Sequence, residues 1–87
     1  MEVDMIFAEF TIAFPEGLHA RPASDLVRIC QKAKSEIRIL KDGMVADPKS
    51  ILGIMALGAA KGDVVKVEVE GEDQEEVFAS IKNFFEA

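Results

Sequence analysis

The chain has 87 residues, a formal net charge of −6 and a hydrophobic content of 49%. That length gives room for one domain (1–87), and the apolar content is too high for a disordered chain. The negative charge opposes the counterion release that drives nucleic-acid binding, and no apolar run reaches the ~20 residues that a membrane-spanning helix needs.

The first predicted element runs from Asp4 to Phe14. Here Ile6, Ala8, Phe10, Ile12 and Phe14 alternate with more polar neighbours such as Glu9 and Thr11, the period of a strand with one face in a core. Phe14-Pro15-Glu16-Gly17 breaks that strand. A helix is expected from about Ala20 to Ala33, because Ala23, Leu26, Val27 and Cys30 recur at the spacing of one buried stripe, while Ser24, Asp25, Arg28 and Gln31 take the other face. Ile37 and Ile39 then alternate with Glu36 and Arg38, and Asp42-Gly43 signals a two-residue hairpin into a short return strand, Met44 to Ala46. Asp47-Pro48-Lys49-Ser50 punctuates the chain and sets Ser50 as the N-cap of a short helix from Ile51 to Leu57. Gly58 and Gly62 end that segment. Val65, Val67 and Val69 alternate with Lys66, Glu68 and Glu70 as a last strand closed by Gly71, and a final helix aligns Val77, Ile81, Phe84 and Phe85. The order is βαββαβα and the class α+β, with helices on one face of a small sheet. Antiparallel pairing follows from the pattern only at the hairpin.

Chemistry concentrates in Gly17-Leu18-His19-Ala20-Arg21-Pro22-Ala23, which holds the only histidine. Pro22 suits a first helical turn, since its φ is preset and it wastes no N–H, so His19 falls at or beside a helix cap. The first amides of a helix lack internal partners and sit at the positive end of the macrodipole, and Arg21 adds a permanent cation. A neutral imidazole there could attack phosphorus and hold the phosphoryl group in an electropositive corner. On position alone, a lone histidine near a helix start is most often a capping or surface residue.

Other features narrow the reading. Cys30 lies on the apolar helix face, where a small buried thiol is expected, and one cysteine with one histidine argues against a zinc site. No metal or cofactor is implied. Neither a basic N-terminal region nor an apolar signal segment precedes the first strand pattern, so a cytoplasmic protein is expected. Carboxylates gather at Glu68, Glu70, Glu72, Asp73, Glu75 and Glu76, whereas Arg21, Arg28 and Lys32 surround the motif, a polarity that would steer an acidic partner. Ile51, Leu52, Ile54, Met55 and Leu57 cannot all face a core from two turns, so part of this helix is expected to form an exposed docking patch.

The histidine motif, together with Lys49-Ser50-Ile51-Leu52-Gly53-Ile54-Met55 and Leu57-Gly58-Ala59-Ala60-Lys61-Gly62, resembles the histidine-containing phosphocarrier (HPr) family of the bacterial phosphotransferase system, from about Phe10 to the C-terminus. The resemblance implies an open-faced β-sandwich, a four-stranded antiparallel sheet covered on one face by three helices. It implies a monomeric carrier for sugar transport, acted on by partner enzymes and not itself an enzyme. His19 would accept phosphate through Nδ1 from phosphorylated enzyme I and pass it to IIA domains of sugar-specific enzyme II, with Arg21 as charge partner. The family's partner surface maps onto Arg28, Ile51, Leu52 and Met55. Ser50 matches the serine modified by HPr kinase/phosphorylase, a modification that recruits the catabolite control protein in catabolite repression; capping explains a serine there equally well. The alternative is an HPr-like regulatory protein working through Ser50 phosphorylation and partner binding, against which the presence of His19 argues.

Two departures stand out. Glu16 occupies a position where the family often has asparagine or serine, and a carboxylate pointing inward would oppose a phosphoryl anion. Met1 to Asp4 lie outside the resemblance and have no assigned role.

Overall fold

A computed structural model of the chain describes residues 4–87, so Met1–Val3 lie outside the described residues. Four strands form one sheet: β1 (Ile6–Thr11), β2 (Glu36–Lys41), β3 (Met44–Ala46) and β4 (Val64–Glu70). Three helices accompany them: α1 (Ala20–Gln31), α2 (Ile51–Ala56) and α3 (Gln74–Glu86). The element order is the expected one. The spatial order is β1-β4-β2-β3 with every pair antiparallel, so the last strand in sequence lies between the first and the second. Periodicity could not supply that order.

Alternation along the strands assigns the faces. Val65, Val67 and Val69 of β4 are fully buried, and Val67 stands in register between Ala8 and Ile39. They share one core with Leu26 and Cys30 of α1, Ile54 of α2, and Val77, Ile81 and Phe85 of α3. The opposite sheet face stays open and is knit by side chains between strands. Arg38 Nε donates to Glu68 at 2.9 Å across β2 and β4, and Lys66 Nζ stands 4.8 Å from the centre of the exposed Phe7 ring.

Several boundaries differ from expectation, each for a local reason. The β1 ladder stops at Thr11, well short of Phe14. Ile12 bonds instead with the turn before β4, its amide donating to the Asp63 carbonyl and its carbonyl accepting from the Gly62 amide, both at 2.8 Å. Phe14 leaves the sheet and packs on Phe84, with ring centres 5.0 Å apart. The inward alternation therefore outlasts the strand that it signals. Helix α1 ends at Gln31, short of Ala33, because the Lys32 and Ala33 amides reach back only three residues, to Ile29 and Cys30. Helix α2 ends at Ala56, with Leu57 as its C-cap. The hairpin matches its sequence signal: Asp42 and Gly43 both have positive φ, 50° and 81°, as a tight turn between twisted strands requires.

The loop after α1 is tied to the start of α3. The Asp73 carboxylate accepts from the Lys34 amide at 3.0 Å, the Ser35 amide at 2.9 Å and the buried Ser35 hydroxyl. These donors hold the Asp73 carboxyl below the usual value of 3.8, the Lys34 amide most strongly.

Candidate functional site

Helix α1 projects His19 from its N-terminal end. His19 is the N-cap, with extended backbone (φ −143°, ψ 165°), and its ring is exposed and makes no capping hydrogen bond. The preceding segment is a run of tight turns. The Gly17 amide donates to Phe14 and the His19 amide to the Gly17 carbonyl, each at 2.9 Å, while the buried Leu18 donates to the Ala59 carbonyl at 2.9 Å. Gly17 has φ +74°, and a Cβ there would collide with the Ala59 carbonyl oxygen. Only glycine lets the chain turn and approach the 59–60 segment this closely.

Ala20, immediately after the imidazole, has φ +48°. A left-handed backbone at a non-glycine residue costs on the order of 1 kcal/mol or more, and such strain persists where the surroundings over-determine it. Here the Leu18 anchor on one side and the α1 ladder on the other, whose first bond runs from the Ala23 amide to the His19 carbonyl, supply that constraint. Among the described residues, the Ala20 and Arg21 amides donate to no protein acceptor, and Pro22 has no N–H. Arg21 is exposed and enters no ion pair among the described residues. The chain thus carries in succession an exposed imidazole, two open amides at a helix head, and an exposed guanidinium two residues after the histidine. Glu16 is exposed and likewise pairs with no cation among the described residues.

Ser50 caps α2, accepting from the Gly53 amide at 3.1 Å, and the residue is exposed. The Asp47–Ser50 turn is fastened to the far end of α1: Lys49 Nζ donates to the Ala33 carbonyl at 3.1 Å, and the Gln31 side chain donates to the Lys49 carbonyl at 3.2 Å. Helix α2 divides its apolar residues as two turns must. Ile54 and Leu57 are buried, Met55 is half-buried, Ile51 is exposed and Leu52 is 75% exposed. Arg28 is exposed on α1 and lies 3.4 Å from Asp25. Cys30 is buried as expected, and burial pushes its thiol up to about 12, the opposing influence of Lys49 notwithstanding.

Sequence reasoning missed the anchor beneath the histidine. Ala59 contributes a backbone carbonyl, and no side-chain pattern announces a backbone acceptor. The available signal was Gly17, whose freedom serves the close approach to Ala59 as well as the turn.

An exposed imidazole at a helix head, next to amides with no protein acceptor and on a strained but anchored turn, is an arrangement suited to an anion at the surface. The comparisons agree. The PTS-HPr family model, described as the PTS HPr component phosphorylation site, matches residues 6–87. The phosphocarrier protein HPr of Xylella fastidiosa (strain Temecula1) is 34% identical over 82 residues, covering 94% of this chain and 92% of the relative. That of Lysinibacillus sphaericus is 40% identical over 73 residues, covering 84% and 83%. The crystal structure of a phosphocarrier protein HPr from Bacillus anthracis superposes with a TM-score of 0.88 at 32% identity, covering 94% of this chain and 98% of that one. The chain belongs to the HPr family of phosphotransferase-system phosphocarriers.

Proposed function

We propose that this chain, as a single domain, carries a phosphoryl group on His19 between phosphorylated enzyme I and the IIA domains of sugar-specific enzyme II. The observation that carries the reading is the exposed His19 ring at the head of α1, beside the uncommitted amides of Ala20 and Arg21. In the loading step, the lone pair of His19 Nδ1 attacks phosphorus while the bond from phosphorus to the donor atom of enzyme I breaks, its electron pair returning to that donor. Unloading is the same exchange toward the next acceptor. The open amides and the Arg21 guanidinium offset the charge of the bound phosphoryl group, while partner proteins supply the alignment. The chain therefore acts as a shuttle on which partner enzymes work, and its place is the cytoplasm; no helix among the described residues is long and apolar enough to cross a membrane.

Docking is assigned to the apolar Ile51, Leu52 and Met55 of α2, with the basic Arg28 of α1. Ser50 lies at the edge of that patch, where a phosphate added by HPr kinase/phosphorylase would place up to about two negative charges, discouraging an acidic partner while offering a new ligand to the catabolite control protein. Incubation with enzyme I and phosphoenolpyruvate, followed by mass spectrometry, tests the reading. An acid-labile phosphate on His19, absent from His19→Ala, is expected; uptake only on Ser50, from ATP, would leave the regulatory alternative in its place.

A further inference from the structure

The residues that place His19 include one that touches neither it nor its motif. The carbonyl that anchors Leu18 and the amide of Ala60 belong to a single peptide group, and that group is gripped on both edges. Its oxygen accepts from the Leu18 amide at 2.9 Å, and its N–H donates to Asp63 Oδ2, also at 2.9 Å. A peptide group is planar, so an acceptor that fixes the N–H fixes the direction of the carbonyl. An ionised carboxylate also makes a stronger bond than a neutral acceptor and polarises the peptide, so the opposite oxygen becomes a better acceptor.

Asp63 is itself held from three sides. Its amide donates to the Ala60 carbonyl at 2.9 Å, its carbonyl accepts from Ile12 at 2.8 Å, and Lys41 Nζ lies 3.6 Å from Oδ2. The same residue thus secures the chain where it leaves β1, through Ile12, and where it reaches the imidazole, through the Ala59–Ala60 peptide and Leu18. The strained Ala20 lies just beyond, so any slack in the Leu18 anchor passes to the His19 backbone.

We propose that Asp63 is a positioning residue for phosphoryl transfer, aiming the Ala59 carbonyl that holds Leu18 and thereby setting the stance of His19. This rests on His19 being the acceptor. Asp63→Ala frees the Ala60 amide, whereas Asp63→Asn keeps an acceptor oxygen in the same place. Loading from phosphorylated enzyme I is measured for both variants, with amide exchange of Leu18 and of Val65–Val69 followed by NMR. Because misplacement of a reacting group costs rate steeply, Asp63→Ala is expected to lower kcat by about tenfold with KM within about twofold, since the docking residues are untouched. Leu18 should exchange faster while β4 stays protected, and Asp63→Asn should recover most of the rate. A wild-type kcat in Asp63→Ala, a loss expressed in KM, a loss shared equally by Asp63→Asn, or exchange that rises throughout β4 overturns the proposal. If wild-type protein takes no phosphate on His19, the carrier reading itself fails and this proposal goes with it.

Discussion

At the residue scale, the site depends on a missing side chain as much as on the one it displays. Gly17→Ala adds a Cβ that meets the Ala59 carbonyl at a left-handed φ. The backbone alone costs about 1–2 kcal/mol, so a loss of about 2 kcal/mol or more is expected from urea unfolding, together with slower phosphorylation of His19. Cys30 makes the opposite point, that position can silence chemistry. A buried thiol at about 12 carries little thiolate near neutrality, so iodoacetamide at pH 8 should leave native protein unmodified and alkylate it only on unfolding.

At the element scale, helix termini carry the argument. Ser50 is a working cap, so Ser50→Ala should cost about 1 kcal/mol in thermal or urea denaturation while leaving His19 loading intact. Ser50→Asp keeps a capping oxygen and adds charge, so it should spare stability yet slow loading by enzyme I; that contrast separates capping from regulation. Asp73 joins the α1–β2 loop to α3 and titrates lower in the folded chain than in the unfolded one. A depressed folded pKa means that the unfolded state takes up the proton first as pH falls. This contribution is complete above the unfolded value, about 3.9, and is lost below it as pH falls through the folded pKa. Asp73→Asn should therefore be less stable than wild type near neutrality and show a shallower decline below about pH 4, followed by circular dichroism.

At the scale of the whole molecule, the exposed apolar residues of α2 are the surface proposed above for docking. Leu52 is 75% exposed, so Leu52→Glu should shift unfolding by no more than about 0.5 kcal/mol while weakening kcat/KM for transfer by about 1 kcal/mol or more. How much of this was legible in the sequence follows from the range of the forces involved. The α1 stripe, the Asp42-Gly43 turn and the Ser50 cap are local and were readable with nearly the right boundaries. That the apolar residues of α2 and its cap must divide follows from its two turns, and the resemblance alone named Ile51 and Leu52 as outward; they are exposed beside buried Ile54 and Leu57. The placement of β4 between β1 and β2, and the anchoring of Leu18 by Ala59, depend on contacts between distant residues and on backbone atoms that all side chains share. The pattern implied a small sheet and the family resemblance its four antiparallel strands; the strand order came from neither.

The aromatic packing of Phe14 has a consequence for the site. Phe84 and Phe85, in the last turn of α3, form a latch against the ring of Phe14, and the backbone carbonyl of Phe14 accepts from the Gly17 amide in the turn toward the imidazole. Replacing both rings, as in Phe84→Ala with Phe85→Ala, would spare the residues proposed for docking and still loosen the turn that leads to His19. The approach to the phosphorylatable imidazole is thus fastened by residues of a helix more than sixty positions further along the chain.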